Sequence, residues 1–202
     1  MAKKVVALFV EGPTEIEFYK AVINRARSLM KVPYDCLIEY VDMRGIGNYK
    51  KDAERKFNNL KKKYEGTDIV LFLCIDSDVF EYSKKPPIDR TQVAKSLKSA
   101  GAQSVTYIIA KTSIEEWFLS DLSGVLDYLR LPASTKRPKG NGQEALSKLF
   151  KTAKKVYLKG GKTEGFIERL NIGKISKTYC SSLKPLCNAL GIQCDKVCGS
   201  DE

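Results

Sequence analysis

The distribution of apolar residues along the chain predicts four β-strands. Residues 5–10 and 68–75 are almost continuous apolar runs without alternation, a pattern typical of strands buried on both faces of a parallel sheet. Residues 36–43 and 104–110 are further apolar runs of strand length. Helical segments separate these runs. Strands that alternate with helices predict an α/β protein, with a doubly wound, mostly parallel sheet of about four strands and helices on both faces.

The predicted helices follow from apolar residues at helical spacing and from capping signals. The first helix begins directly after residues 5–10, where Gly12-Pro13 ends the strand and Thr14-x-x-Glu17 has the form of a capping box. One apolar face of this helix consists of Ile16, Tyr19, Ile23 and Ala26. Further helices are predicted at about residues 49–64, 90–100, 143–156 and 175–190, the last with a kink or interruption at Pro185.

Length and turn composition indicate how the chain is organised into domains. With 202 residues it is long enough for one well-buried domain and an appendage. We expect residues 1–130 to form the core that contains the sheet, and residues 131–202 to form a C-terminal extension packed on it. This extension would begin with a basic loop at residues 131–142, rich in Pro, Gly, Ser and Thr, and continue with helices.

The composition limits the chemistry that the protein can perform. The chain contains no histidine, which excludes every nucleophile, base or metal ligand that uses an imidazole. Catalysis would therefore rely on carboxylates, lysines, hydroxyls, thiols or a bound metal ion. The 35 Lys and Arg residues exceed the 24 Asp and Glu residues by +11, which favours a polyanionic partner such as nucleic acid. A protein that is merely basic would have the same composition.

The expected location of the protein determines the expected state of its cysteines. No apolar run reaches the length of a membrane span, and the run at residues 5–10 is too short for a secretory signal. We therefore expect a cytoplasmic protein with no membrane partner and with reduced cysteines, in which Cys36 and Cys74 are core residues. For the C-terminal group we expect free thiols in a frayed tail, with zinc binding as the weaker alternative; its members are Cys180, Cys187, Cys194 and Cys198.

Acidic residues follow three of the predicted strands, at the point where each strand ends. They are Glu11 with Glu15 in the next helical turn, Asp76 with Asp78, and Glu115. Because parallel strands end at one edge of a sheet, where α/β proteins bind their ligands, we expect these carboxylates to meet there. Such a group needs a cation among its charges, and a set of oxygen ligands suits Mg²⁺ or Mn²⁺. Each acidic turn taken alone is a weak signal, because surface turns have the same composition.

Two basic segments are candidates for contact with a nucleic-acid backbone. The helix predicted at residues 49–64 carries Lys50, Lys51 and Arg55, and the loop at residues 131–142 carries Lys136, Arg137 and Lys139. Lysine and arginine contacts to phosphate hold a nucleic acid without reading its sequence. The alternative for the helix is an ordinary solvated face, with no partner at all.

The motifs at the strand ends resemble the TOPRIM domain of topoisomerases, primases and certain nucleases. That domain has a glutamate after its first strand, here Phe9-Val10-Glu11-Gly12, and an Asp-x-Asp after a later strand, here Ile75-Asp76-Ser77-Asp78. The resemblance is strongest to the branch with the OLD (overcoming lysogenization defect) and RloB-like proteins of bacterial and archaeal defence systems. In that branch a second acidic residue matches Glu15, and a Ser-x-Glu matches Ser113-Ile114-Glu115. The resemblance covers about residues 4 to 120.

This resemblance implies a TOPRIM-like fold and a metal-dependent nuclease that hydrolyses phosphodiester bonds of DNA or RNA, in defence or nucleic-acid processing. It implies a two-metal site with Mg²⁺ or Mn²⁺, in which Glu11, Asp76 and Asp78 hold the ion that activates water. The second ion would be placed by Glu15, Ser113 and Glu115. A later lysine of that branch would neutralise charge on the phosphate; Lys174 is the first candidate and Lys177 the second.

Other functions remain compatible with these motifs. One is a TOPRIM module that binds metal and nucleic acid, or a partner protein, without cutting, as a regulatory subunit. A topoisomerase or primase activity would need a separate nucleophile domain or template-binding modules, for which 202 residues leave little room. The chain has no Walker-type G-x-x-x-x-G-K-[ST] motif, so an ATPase that regulates it would be a separate partner.

Overall fold

The computed structural model describes residues 4–29, 35–81, 85–159, 163 and 165–192. These residues form an α/β fold around a four-stranded, all-parallel sheet with helices on both faces, which confirms the predicted fold class. Its strands are β1 (Lys4–Val10), β2 (Cys36–Asp42), β3 (Asp68–Asp76) and β4 (Ser104–Ala110), in the order β2-β1-β3-β4. Every strand lies within one residue of its predicted bounds.

The helices in the described residues account for most of the rest of the chain. They are α1 (Pro13–Ser28), α2 (Asn48–Lys63), α3 (Asp78–Glu81), α4 (Arg90–Ser99), α5 (Ile114–Leu119), α6 (Leu122–Leu129), α7 (Gly142–Thr152), α8 (Ile172–Thr178) and α9 (Cys180–Ala189), with a 3-10 turn at Ile167–Arg169. Within the described ranges, none of them combines the length and apolar character that crossing a membrane requires.

Alternate residues of each central strand pack on opposite faces of the sheet. Val6, Leu8 and Val10 of β1 belong to a hydrophobic cluster with α1 and with the helices from α5 to α9. The intervening residues of β1 belong to a second cluster, formed with α2 and α4. This explains why β1 and β3 have no polar alternation, since both of their faces are covered. The helices that follow residue 130 share the first cluster with the sheet.

The pairing register brings the ends of the strands to one level. Val10 of β1 pairs with Asp42 of β2, and Asp76 of β3 pairs with Ala110 of β4. The residues that directly follow β1, β3 and β4 therefore emerge together at one edge of the sheet, which we call the carboxyl edge. Open parallel sheets bind their ligands at this edge.

The start of α1 differs from the prediction. The helix begins at Pro13 with Gly12 as its N-cap, and no side chain caps it, so the predicted capping box of Thr14 and Glu17 does not form. Proline suits the first helical position, because its φ is already helical and its missing N–H has no intrahelical partner there. The helix thus starts two residues earlier than a Thr14 cap predicts, and Glu15 lies in its first turn, as expected.

The last helical region also differs from the prediction. It consists of two helices that break at Tyr179, whereas Pro185 lies inside α9 without ending it. The Tyr179 ring stacks on Trp117 with 4.7 Å between ring centroids, and its hydroxyl donates to the Glu116 carbonyl over 3.1 Å. This tertiary contact fixes the backbone at the break. The helix predicted at residues 143–156 ends earlier, at Thr152, where the chain continues without regular structure to Lys159.

The cysteines divide differently from the expectation. Cys36 and Cys74 are buried in the sheet, which confirms that they are core residues. Cys187 is also buried and Cys180 is partly buried, both in α9, so the expectation of a frayed tail is wrong for these two. A helix that packs against β4 and α8 holds them. Cys194 and Cys198 lie outside the described residues.

Candidate active site

Two acidic residues meet where β1 and β3 end. Glu11 follows β1 directly, and its Oε1 atom accepts a hydrogen bond of 3.2 Å from the backbone N–H of Asp76, the last residue of β3. Asp76 is only 2% exposed. The parallel pairing of the two strands thus converts two acidic residues 65 positions apart in the sequence into neighbours.

The first turn of α1 adds a third carboxylate. Glu15 Oε2 accepts a hydrogen bond of 3.1 Å from the backbone N–H of Glu11. The side chain of Glu15 therefore folds back from the helix onto the end of the strand, where it is 7% exposed. A carboxylate near a helix N-terminus is stabilised by the helix dipole, which partly offsets its burial.

A tight backbone arrangement joins the ends of β3 and β4. The N–H of Asp78 donates to the carbonyl of Thr112 over 2.9 Å, and the N–H of Thr112 donates to Ser77 Oγ over 2.7 Å. Thr112 adopts a left-handed backbone conformation with φ of 65°, which is uncommon for a β-branched residue. The chain turns here so that the N–H of Ile114 donates to Asp76 Oδ1 over 2.8 Å. The first turn of α5 is thereby fixed against Asp76.

This turn places Ser113 and Glu115 near Asp76 as well. Glu115 is 1% exposed, and its Oε1 atom accepts a hydrogen bond of 2.9 Å from the hydroxyl of Tyr157. Within the described part of the chain, the other carboxylate oxygen, Glu115 Oε2, and the hydroxyl of Ser113 are buried with no hydrogen-bond partner. Buried polar atoms are nearly always satisfied, so these two oxygens have unused capacity to bind a ligand at this site. We call Glu11, Glu15, Asp76, Asp78 and Glu115 together the carboxylate cluster.

One lysine contacts the carboxylate cluster. Lys159 Nζ lies 2.9 Å from Asp76 Oδ2 and 3.6 Å from Asp78 Oδ2. It lies in residues 155–159, which follow a turn at residues 153–154 and form no helix or strand; Tyr157 is buried there, and its neighbours Val156 and Leu158 are 77% and 66% exposed. This segment carries both Tyr157 and Lys159 to the cluster.

Burial, and then the crowding of negative charge, raises the pKa values of three residues of the cluster, Glu11, Glu15 and Asp76. Burial, and then the nearby charges of Asp76 and Glu11, raise the pKa of Glu15 well above its ordinary value. Burial also raises the pKa of Glu11, and it raises that of Asp76 to about 7 even though Lys159 acts to lower it. Burial acts to lower the pKa of Lys159 itself, but Asp76 and the other acidic neighbours raise it above its usual value. One ammonium therefore does not balance the cluster, which favours further positive charge.

The donor atoms of the site fit a hard divalent cation. All of them are carboxylate or hydroxyl oxygens, the ligands that Mg²⁺ and Mn²⁺ prefer, and two of them lack a hydrogen bond. As the side chains stand, no three acidic or thiol groups of the described residues have the arrangement of a metal site. Lys159 lies between Asp76 and Asp78 instead, so an ion can bind there only if the ammonium moves.

The predicted lysine, Lys174, makes a different contact. Its ammonium lies 3.3 Å from Asp121 Oδ1, and Asp121 also accepts hydrogen bonds from the N–H of Asn171 and the hydroxyl of Ser123. Burial acts to raise the pKa of Asp121, but these hydrogen bonds and the ammonium lower it. Lys174 thus joins α8 to the start of α6. Lys177, the second candidate, lies in the last turn of α8.

The predicted nucleic-acid contacts lie in two places. Lys50, Lys51 and Arg55 are exposed on α2, where Arg55 pairs with Asp52 at 2.9 Å. Lys136, Arg137 and Lys139 are exposed in the loop between α6 and α7. Arg137 of this loop pairs at 2.8 Å with Glu116, the residue after Glu115, so the loop lies beside the carboxylate cluster.

Sequence analysis missed Tyr157 and Lys159. Lys159 is one of 35 basic residues, and nothing in its local sequence distinguishes it from the others. The sequence also gives no signal for Tyr157, because Val156, Tyr157 and Leu158 are all apolar or aromatic, and only the structure shows that Tyr157 alone of the three is buried.

Comparison with known proteins yields one finding. A family model described as "Domain of unknown function (DUF4276)" matches residues 10–191, or 191 − 10 + 1 = 182 of the 202 residues. No curated protein and no solved structure matches the chain. The matched range contains the whole carboxylate cluster together with Tyr157 and Lys159.

Proposed function

The chain belongs to the DUF4276 family, whose description names no activity, and we propose from its site that it is a metal-dependent nuclease. The reaction would be hydrolysis of phosphodiester bonds in DNA or RNA. One observation carries this proposal: five carboxylates share the carboxyl edge, with raised pKa values on Glu11, Glu15 and Asp76, and among the described residues one ammonium, that of Lys159, pairs with them. A site of this charge stabilises cations, and the TOPRIM resemblance of the same residues supports phosphoryl chemistry.

Two groups of residues would hold Mg²⁺ or Mn²⁺. Glu11, Asp76 and Asp78 present carboxylates where β1 and β3 end, and Asp76 is fixed there by the N–H of Ile114. A second group, Glu15, Ser113 and Glu115, supplies the two oxygens that lack a hydrogen bond. When bound, the ions would activate a water molecule and stabilise the charge of the phosphate.

Lys159 takes the role that the resemblance assigns to a late lysine. Its ammonium already contacts Asp76 and Asp78, and it is carried by a segment without regular structure, so it can shift toward an arriving phosphate. In that position it would neutralise the charge that develops on the phosphate oxygens. Tyr157 would hold Glu115 in place throughout, through its hydrogen bond to Oε1.

The same contacts of Lys159 also favour a second candidate function. A cluster that is partly neutralised by its own lysine, with no metal arrangement among the described side chains, is compatible with a module that binds nucleic acid or a partner protein without cutting. The two candidates differ in one measurable property, which is turnover in the presence of a divalent metal.

Cleavage assays test the nuclease proposal. The protein is incubated with labelled supercoiled DNA, linear DNA, tRNA and ribosomal RNA, each with Mg²⁺, Mn²⁺ or a chelator. We expect cleavage of at least one substrate with a metal and none in chelator. Asp78→Asn should reduce cleavage on the order of 100-fold or more, because it removes a charged metal ligand, while leaving nucleic-acid binding intact.

A matched control is available on the same strand. Asp68→Asn changes a carboxylate at the opposite end of β3, where it accepts a hydrogen bond from Gln103 Nε2, and should leave cleavage unchanged. Lys159→Met should slow turnover without weakening metal binding, whereas Lys174→Met should not slow it. Cleavage in excess chelator, or normal cleavage by Asp78→Asn, would contradict the metal mechanism. Binding without cleavage of any substrate would favour the non-catalytic module.

A further inference from the structure

A cavity beside the carboxylate cluster has no role in the site described so far. Its volume is about 540 Å³, within the range of pockets that hold small ligands. It lies between the first turn of α2, the segment that precedes α4 and the start of α4 itself. The residues that matter for its chemistry are Lys50, Phe80, Lys85, Asp89, Arg90 and Gln92.

The cavity is basic. Lys50, Lys85 and Arg90 line it, and Asp89, the acidic residue among its described lining residues, uses a carboxylate oxygen to cap α4 by accepting the N–H of Gln92 over 3.0 Å. Neither Lys50 nor Arg90 forms an ion pair with any described carboxylate. Lys50 and Arg90 therefore bring to the cavity lining two positive charges that no described carboxylate neutralises through an ion pair.

Arg90 is held in a position suited to such a ligand. Its guanidinium carbon lies 4.8 Å from the centre of the Phe80 ring, so one face of the guanidinium packs on the aromatic side chain. A guanidinium in this stack keeps its N–H edge available, and that edge matches the oxygens of a phosphate in a bidentate manner. Stacking also reduces the number of side-chain conformations that binding must restrict.

The cavity and the carboxylate cluster are built on the same elements. Phe80 follows Asp78 by two residues in α3, a distance of at most about 7 Å along the chain. Tyr49, next to Lys50, donates its hydroxyl to the carbonyls of Phe9 and Cys74 over 2.8 and 2.7 Å. These two carbonyls each lie two residues before a cluster carboxylate, Glu11 or Asp76. These hydrogen bonds and the short helix α3 thus connect the cavity and the carboxylate cluster to the same strand ends, those of β1 and β3.

From these contacts we propose that the cavity binds a phosphate of the nucleic-acid strand that neighbours the phosphate at the carboxylate cluster. Arg90 and Lys50 contact the phosphate oxygens, and the volume of the cavity accommodates the attached nucleotide. This inference rests on the proposed nuclease function, since it names how the same site holds its substrate. It also separates Lys50 from Lys51, which the sequence treats alike.

Binding of a labelled single-stranded oligonucleotide in chelator tests the proposal without cleavage. Lys50→Ala and Arg90→Ala should each weaken binding about 3- to 10-fold and lower the slope of log K against log salt by about 0.7 per lost phosphate contact. Lys62→Ala on α2 and Lys95→Ala on α4 remove the same charge from the same helices, outside the cavity, and should change affinity less than 2-fold. Arg90→Lys should lose part of the affinity, because lysine keeps the positive charge but lacks the planar guanidinium that can donate two parallel hydrogen bonds to a phosphate.

The outcomes separate this inference from the proposed function. Equal effects of all four alanine variants would indicate a diffuse basic surface and overturn the cavity proposal, while metal-dependent cleavage would leave the nuclease intact. A parallel titration of the protein with inorganic phosphate and with a nucleoside 5′-monophosphate tests whether the cavity binds free phosphates instead of a strand. If those probes depend on Lys50 and Arg90 but strand affinity does not, the proposal is also overturned. A wild-type protein that binds no oligonucleotide would end both proposals.

Discussion

At the scale of single residues, the carboxylate cluster is organised by backbone hydrogen bonds rather than by salt bridges. Glu11, Glu15 and Asp76 each accept a backbone N–H, at 3.2, 3.1 and 2.8 Å. These bonds fix the direction of each carboxylate and stabilise its charge, but burial outweighs them in its effect on the pKa values of Glu11 and Asp76. The carboxylates of the cluster therefore have fixed positions, although the proximity of their negative charges is unfavourable.

Tyr157 should act as a positioning residue through Glu115. Tyr157→Phe removes the 2.9 Å hydrogen bond to Glu115 Oε1 and should lower the free energy of unfolding by about 1 kcal/mol. Because this hydrogen bond orients a proposed metal ligand, its loss should weaken Mn²⁺ binding by about 10-fold or more, measured by calorimetry. Tyr64→Phe removes a similar bond, to Glu39, and should leave Mn²⁺ binding unchanged. Equal metal affinity in Tyr157→Phe and wild type would disprove this role.

The raised pKa of Asp76 predicts how stability depends on pH. Its carboxyl titrates near 3.8 when unfolded and at about 7 when folded, so between these values the folded protein keeps a proton that the unfolded chain has lost. Stability should therefore fall as pH rises from about 4 to 7, by about 1.4 kcal/mol per pH unit at most from this group. Glu11 and Glu15, whose pKa values are also raised, contribute in the same direction.

Melting temperature measured against pH in chelator tests this sign. Asp76→Asn should reduce the slope between pH 4 and 7, because the variant has lost the Asp76 carboxyl, while Glu11 and Glu15 still contribute. Asp68→Asn should retain the slope, since Asp68 lies on the exposed end of β3 away from the cluster. A wild-type melting temperature that rises over this range would contradict the pKa argument.

At the scale of elements, the site depends on how closely α7 packs on α5. A Cβ atom added at Gly142, the first residue of α7, would lie 2.7 Å from the backbone nitrogen of Glu116 and 3.1 Å from the carbonyl carbon of Glu115. Contacts that short do not occur with real side chains, so only glycine allows this approach. The packing of α7 thereby supports the backbone that carries Glu115.

Gly142→Ala should separate the two helices. We expect a loss of about 1–3 kcal/mol in the free energy of unfolding, as in other overpacked sites, together with reduced cleavage through displacement of Glu115. Gly47→Ala is the control, because a Cβ there meets nothing within 4 Å and the backbone has an ordinary φ of −60°. That variant should stay within about 0.5 kcal/mol of wild type. Denaturant unfolding measures both, and equal stability of the two variants would contradict the packing argument.

At the scale of the whole molecule, a basic protein surrounds an acidic site. The net charge of +11 would favour a polyanion such as the proposed nucleic acid, whereas the carboxylate cluster would repel a phosphate that approaches it. Bound divalent ions would remove that repulsion, so metal should affect contact with the cluster more than overall binding. The basic loop that contains Arg137 and the cavity that contains Arg90 lie on elements adjacent to the cluster. Each would hold a different part of the nucleic-acid strand along the carboxyl edge.

Affinity for nucleic acid should fall steeply with salt. If about six phosphates are contacted, counterion release predicts a loss of about a thousandfold between 50 and 200 mM salt. Because no base-reading module is visible in the sequence, affinity should vary little between oligonucleotides of different sequence. Fluorescence anisotropy over a salt series measures both effects. An affinity that is insensitive to salt would instead indicate a protein partner.

The sequence by itself determined the sheet and the chemistry available to the site. The uninterrupted apolar runs at β1 and β3 indicate strands that are buried on both faces. This pattern can be read from each strand's own sequence. Because parallel strands share an edge, acidic residues that follow them, such as Glu11, Asp76 and Glu115, are brought together by the same pattern. The absence of histidine is also a matter of composition alone.

Only the tertiary structure decided which other side chains reach that edge. Lys159 contacts Asp76 from 83 positions away, and Lys174 contacts Asp121, because the path of the chain after α7 sets the partner of each lysine. The break at Tyr179 depends on stacking against Trp117, which overrides the local helical pattern. Hydrophobic periodicity indicates which face of a helix or strand is buried. It does not indicate which distant side chains will contact that face or the end of that element. That choice requires the packed molecule.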